Sequence, residues 1–139
     1  MTNNVTDRIL LKAIHDRYYA EFCSFDKNNK SRSAKMYVPI DCREIAKQLD
    51  LDPDIVFGRL YYHLDRKYGY AKDDGSKVYL FTMKLGNDKH AVNFPLLSAV
   101  VAELEQSFLR FTLPLFLSIA AIAISIVALA AQIFVKGGS

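Results

Sequence analysis

Tryptophan is missing from this 139-residue chain, cysteine occurs twice, histidine three times, and one long tract carries no charge of either sign. Each scarcity excludes something. Cys23 and Cys42 stand far apart, and His15, His63 and His90 are scattered. No compact ligand pair exists from which to build a zinc site, so neither metal nor cofactor is expected. Two isolated thiols make no disulfide framework and suit a reducing cytosolic compartment. The opening MTNNVTDR lacks a basic-then-apolar stretch, so no secretory signal peptide is expected. A Gly-rich phosphate loop, paired carboxylates in an evident pocket and a nucleophile elbow are all wanting, which argues against an enzyme.

Charge is unevenly spread. All 15 acidic residues, and every Lys and Arg except Lys136, precede Phe111. That part is close to neutral, so a whole-domain basic excess, the usual electrostatic sign of nucleic-acid binding, is absent. Any such case rests on local patches.

The uncharged tract runs from Phe111 to Val135, 25 residues without Asp, Glu, Lys, Arg or His. As a helix rising 1.5 Å per residue it would reach about 37 Å, enough for a hydrocarbon core of ~30 Å. A single isolated segment cannot close a barrel, so a transmembrane helix over 111–136 is expected, in contact with membrane lipid. Basic residues before it, among them Lys84, Lys89 and Arg110, place the N-terminal domain in the cytoplasm. The expected arrangement is a single-pass, tail-anchored protein of the cytoplasmic membrane. Residues 137–139 read as a cloning-derived tail. Ser118, Ala121, Ser125, Ala128 and Gln132 fall along one side of the span by steps of three and four. Small residues let backbones approach and Gln can bond across the seam, so homodimers or higher homo-oligomers are expected through this stripe. Pro114 lies near the start of the span, where a kink is tolerated.

Residues 5–23 show helical spacing through Val5, Ile9, Ala13, Ile14 and Tyr18. Residues 24–37 are aperiodic and rich in Ser, Asn and Lys, hence a loop. Lys27, Lys30, Arg32 and Lys35 make it a basic arm able to grip phosphate or lie on anionic lipid, or simply a solvated loop. Asp41 followed by Glu44 has the spacing of a helix cap, and Ile45, Ala46 and Leu49 give that helix an apolar face. Asp52 as cap with Pro53 at the first helical position starts another helix. Its buried side is Val56, Leu60 and Leu64, and Tyr68-Gly69 ends it. The stretch from Tyr70 to Lys84, with Asp73-Asp74-Gly75-Ser76 at its middle, reads as a β-hairpin.

The fold class that follows is mainly α with a small β-hairpin. In its order of elements, EIAKQLDLDPDIVFGRLYYHLDRKYGYAKDDGSKVYLF resembles the winged helix-turn-helix superfamily. The resemblance implies a winged-helix domain over 1–88, with the helix after Asp52 entering the DNA major groove and the hairpin gripping a flanking backbone. The superfamily often has Gly in the turn between the two helices, where this chain has Asp50. With Val56, Leu60 and Leu64 inward, the outer face gathers Ile55, Arg59, Tyr62, His63 and Arg66, and Lys72 and Lys77 flank the hairpin turn. Arg59 and Arg66 would meet phosphate or guanine edges of duplex DNA. Asp52 and Asp54, in the turn that approaches the bases, and Asp73 and Asp74 in the hairpin turn oppose this. Two functions follow, the first the main reading and the second its alternative. One is a membrane-held DNA-binding regulator of transcription. The other is an adaptor or accessory subunit that docks a membrane-protein partner through Ile55 and Tyr62.

Between the domain and the span, residues 85–91 read as a hinge. Residues 92–110 regain helical spacing, with Pro95 near the start and Leu97, Val101, Leu104 and Phe108 on one side. The connecting unit, 89–110, is thus a hinge and an amphipathic helix. That helix would pack on its own domain, pair with a twin, or lie on the membrane surface.

Overall fold

The computed structural model describes residues 4–138. The chain divides into two compact units, Met1–Glu103 and Leu104–Ser139. It is mostly helical, with a small antiparallel sheet and a long apolar C-terminal helix.

The first unit opens with α1, Asp7–Cys23, whose N-cap is Thr6; the Thr6 hydroxyl accepts the Ile9 N–H. Leu10, Leu11 and Ile14 are fully buried. A short strand, β1 (Tyr37–Pro39), follows the 24–36 loop. Helix α2 (Cys42–Leu49) is capped by Asp41, whose carboxylate accepts the Arg43 N–H at 2.8 Å. The Tyr18 hydroxyl accepts the Asp41 N–H at 2.9 Å, so α1 fixes where α2 begins. Glu44 does not complete a reciprocal cap; it pairs with Arg17 on α1.

Asp50 ends α2 in the left-handed region, φ 54 and ψ 49. Asp tolerates that conformation because its short side chain can bond locally, so the turn closes without Gly. Asp52 caps the next helix and Pro53 starts it. This helix, α3, is continuous from Pro53 to Tyr68, with a π-helical stretch at Arg59–Leu64 between the α-helical Pro53–Gly58 and Asp65–Tyr68. Val56, Leu60 and Leu64 are fully buried, each contributing roughly 1.5–3 kcal/mol. Gly69 closes α3 for a steric reason. A Cβ there would stand 2.5 Å from the Asp65 carbonyl oxygen and 3.1 Å from that of Val78.

The β-structure differs from the single hairpin expected over 70–84. Strands β2 (Tyr70–Ala71) and β3 (Lys77–Val78) pair for two residues around the Asp73–Ser76 turn. The larger hairpin is β4 (Phe81–Leu85) with β5 (Asp88–Asn93), turning at Gly86 and Asn87. β5 also pairs with β1, giving an antiparallel sheet in the order β1-β5-β4. The expected hinge at 85–91 is therefore a tight turn and most of a central strand. Ala91 and Val92 are buried on it.

The connecting helix expected up to 110 and the span expected over 111–136 are continuous. One helix runs from Phe94 to Gly137, and the Asn93 side chain accepts the Leu96 N–H at 3.2 Å near its start. Phe94, Leu97, Val100 and Val101 bury this helix in the first unit. In the second unit it is long and apolar enough to cross a membrane, with mean hydropathy 2.6 and none of that stretch buried. Pro114 lies inside it.

Candidate docking face

Along the outer side of α3 the aromatic residues form a ladder. The Phe57 and Tyr61 rings lie nearly parallel with centroids 5.6 Å apart, and Tyr62 meets Tyr61 edge-on at 4.9 Å. Tyr62 is 72 % exposed and Ile55 is 52 % exposed. Between α3 and β4 lies an open cleft of about 680 Å3, lined by Tyr61, Tyr62, Asp65, Arg66, Tyr79, Phe81, Thr82, Met83 and Lys84. Tyr79 and Met83 are about half exposed beside it. Tyr, Met and Arg are residue types enriched where proteins meet proteins.

Asp65 holds the cleft's floor in place. One oxygen of its carboxylate accepts the N–H of Leu80 at 2.8 Å and of Phe81 at 3.1 Å. The C-terminal part of α3 is thereby tied to the start of β4.

Arg59, expected on the outer face as a phosphate or base contact, is engaged with the start of α1. Its guanidinium donates to the Val5 carbonyl at 2.7 Å and pairs with Asp7, with three quarters of its side chain covered. His63 Nε2 lies 3.3 Å from the other Asp7 oxygen, and Lys67 Nζ lies 3.9 Å from it. Burial alone would raise the Asp7 pKa. The hydrogen bonds from Arg59 and His63 outweigh it and hold the carboxyl below its usual value. Asp7 also sits in the first turn of α1, where the helix dipole favours a negative charge. Arg59 and His63 thus face α1, Arg59 largely covered and His63 still exposed with Ile55, Tyr62 and Arg66.

Lys72 and Lys77 are exposed on either side of the β2–β3 turn. Asp74 inside that turn accepts the Ser76 N–H at 2.9 Å and the Ser76 hydroxyl at 2.6 Å. These bonds lower its pKa, so the turn keeps a negative charge between the two lysines.

The basic arm is only partly an arm. Lys27, Lys30 and Lys35 are exposed, but Arg32 is 5 % exposed and structural. It donates to the Glu21 carbonyl at 3.0 Å and the Phe22 carbonyl at 3.3 Å, two of the last carbonyls of α1. It also donates to those of Ala34 and Lys35, and its guanidinium covers the Phe25 ring. A cation at a helix C-terminus satisfies otherwise unpaired acceptors. Arg32 is therefore turned inward, onto the end of α1.

In the second unit the hydroxyls of Ser118 and Ser125 donate to the carbonyls four residues back, Pro114 and Ala121, at 2.9 and 2.8 Å. Ser118, Ala121, Ser125, Ala128 and Gln132 lie on the one apolar helix, all exposed.

A second cleft, of about 550 Å3, lies where α2 and α3 begin, with Cys42, Arg43, Asp54, Phe57, Lys89 and His90 on its walls. Burial pushes the Cys42 thiol up to about 11, so it stays protonated and unreactive. Among the described residues, no group of three or more His, Cys, Asp or Glu stands ready to hold a metal.

Sequence reasoning missed Tyr61, Asp65, Tyr79, Met83 and Lys84. Asp65 carried no signal, since the amides it binds come from another element. Tyr79 and Met83 were concealed by the wrong hairpin register. No family model matches the chain, and no curated protein or solved structure matches it.

Proposed function

We propose that this is a winged helix-turn-helix module held at a membrane by its C-terminal helix, and that it docks a protein partner through the tyrosine-rich face of α3 and β4. The order α1, β1, α2, α3 and the β4–β5 hairpin, with β1 paired to β5, supports the winged-helix reading. The left-handed Asp50 between α2 and α3 supports it too. One helix long and apolar enough to cross a bilayer supports the anchor. The domain faces the cytoplasm in this reading, by the excess of basic residues before the span.

The observation that carries docking to protein is the division of labour on α3. Arg59 is spent on Asp7, whereas Tyr61, Tyr62, Tyr79 and Met83 stay exposed around an open cleft. Asp52 and Asp54 at the start of α3 repel phosphate where a DNA-reading helix would approach bases. A tether raises the local concentration of the domain for a membrane-associated partner, so modest affinity suffices. The duplex-DNA reading keeps one supporting observation, the exposed Arg66, Lys72 and Lys77.

The test is a photo-crosslinking amino acid at Tyr62 of the full chain in native membranes, with electrophoretic shift on duplex DNA run in parallel. A discrete protein adduct, absent when the probe is at Lys47, is expected, with no duplex shift at low salt. Salt-sensitive duplex binding that Arg66→Ala removes, without an adduct, would overturn the reading in favour of a DNA-binding regulator.

A further inference from the structure

We infer that the outer edge of β4 is a strand-addition site for an extended, acidic segment of the protein partner; this rests on the docking reading above. The sheet order β1-β5-β4 leaves β4 with a neighbour on one side only. An edge of this kind is a template for another strand.

The backbone directions are legible. The Leu80 carbonyl accepts the Asn93 N–H, so it faces β5. The next N–H, that of Phe81, turns the other way, to Asp65. Alternation along a strand then directs the N–H and carbonyl of Met83 to the same outer side. In the ladder to β5, Phe81 stands opposite Val92, Thr82 opposite Ala91, Lys84 opposite Lys89 and Leu85 opposite Asp88, with a break at Met83 and His90. His90 adopts φ 51, which breaks regular pairing, and its carbonyl accepts the Ile40 N–H from beyond β1 instead. The edge is closed at Leu80 and Phe81, where Asp65 supplies the acceptor, and the next outward backbone groups are those of Met83 and Leu85.

The charge of the incoming segment follows from the rim. Arg66 and Lys84 border the cleft, and its one carboxylate, Asp65, is occupied with two amides. Lys84 faces Lys89 directly across the hairpin, and like charges so placed destabilise a sheet. Among the described residues, neither lysine has an ion-pair partner. Glutamate or aspartate at alternate positions of an added strand would relieve that repulsion, while the apolar positions between them would meet Tyr62, Tyr79 and Met83.

The experiment uses the full chain in phosphatidylcholine nanodiscs and two ten-residue peptides, one alternating glutamate with valine and one alternating lysine with valine. Binding is read by fluorescence anisotropy, and amide hydrogen exchange is followed over residues 80–93. The glutamate peptide should bind and slow exchange at Met83 and Leu85, whose N–H groups point outward, and the lysine peptide should not bind. Lys84→Glu combined with Arg66→Glu should weaken the glutamate peptide by at least about tenfold. Met83→Pro, which keeps the charge but removes the outward N–H, should weaken it as well. Should the proline variant fail to fold, Lys84→Glu alone must still weaken the glutamate peptide, and unchanged binding overturns the acidic segment. No binding, equal binding of both peptides, or binding without slowed exchange at β4 overturns strand addition. So does protection of the same amides by a 20-base-pair duplex but by neither peptide. A Tyr62 crosslink to protein that persists while β4 exchange is unchanged leaves docking standing and removes the strand; loss of that crosslink removes docking itself.

Discussion

At the scale of single residues, Asp7 decides which cations of α3 are free. Its carboxylate draws in Arg59, His63 and Lys67 from three successive turns and ties α3 to the start of α1. Arg59→Ala should lower stability by about 1–3 kcal/mol, because a three-quarters covered carboxylate loses its principal partner. Thermal unfolding of the detergent-solubilised chain reads this. The same cluster gives a pH dependence whose sign is fixed. Asp7 has a lowered folded pKa, so its stabilising contribution is complete above the unfolded value of about 3.9 and fades as pH falls through the folded one. Between about pH 5 and pH 2 the wild type should therefore lose more stability than Asp7→Asn. Equal losses would show that Asp7 takes no part. The helical wheel groups Arg59 with Ile55, Tyr62 and Arg66, but it carries no information about a carboxylate 52 positions away. Arg32 was hidden for the same reason: its acceptors are carbonyls at the end of α1, which no composition signal marks. Local signals fared better. The caps Asp41 and Asp52, Pro53 at the start of α3 and Gly69 at its end act within a few residues and stand where their spacing put them.

At the scale of elements, α3 and β4 are held in register by Asp65 and Gly69. Asp65→Ala would strand the N–H groups of Leu80 and Phe81, and about 2–4 kcal/mol of stability should be lost. Gly69→Ala pushes a methyl against two backbone carbonyls, neither of which is the end of a flexible side chain. A loss of about 1–3 kcal/mol is expected, as for overpacking. Both are measured by denaturant midpoints, and a midpoint within error of wild type for either would contradict the packing described. Asp65→Asn is the milder comparison, since its amide oxygen still accepts. The helices were legible because Val56, Leu60 and Leu64 recur at one period over several turns. The sheet was not. Asp-Asp-Gly-Ser is the stronger local turn signal, yet the strands it joins pair for only two residues. Gly86-Asn87 wins because the strands on either side of it include Phe81, Ala91 and Val92, which the core can bury and which also let β5 pair with β1. Tertiary burial overrides turn propensity here, and with it the register that exposes Met83 became visible.

At the scale of the whole molecule, the question is whether the C-terminal helix enters a bilayer, and magnitudes decide how to ask it. Fourteen of the 25 residues from Phe111 to Val135 are Leu, Ile, Phe or Val. At roughly 0.3–0.6 kcal/mol each at the centre of a span, they favour insertion by about 4–8 kcal/mol. One arginine near the middle costs about 2.5–3.5 kcal/mol, too little to reverse that sum. Ile122→Arg should therefore still sediment with membranes and resist alkaline carbonate, though less completely than wild type. Ile122→Arg with Ile126→Arg costs roughly 5–7 kcal/mol and removes two favourable residues as well, which brings insertion near balance or beyond. The double variant should appear largely in the carbonate supernatant. A helix that instead belonged to a soluble assembly would respond differently. Wild type would be soluble without detergent, and a single arginine in a buried seam would already disrupt it. The graded pattern, tolerance of one charge and release by two, is what lipid demands. The same fractions also report on the side of the membrane. Cys23 is exposed and Cys42 buried, so one thiol per chain is open to a membrane-impermeant maleimide. With the domain in the cytoplasm, that thiol should react in inside-out vesicles and stay unmodified in right-side-out ones. Labelling in right-side-out vesicles would put the tyrosine face on the opposite side, where a cytoplasmic partner has no access to it.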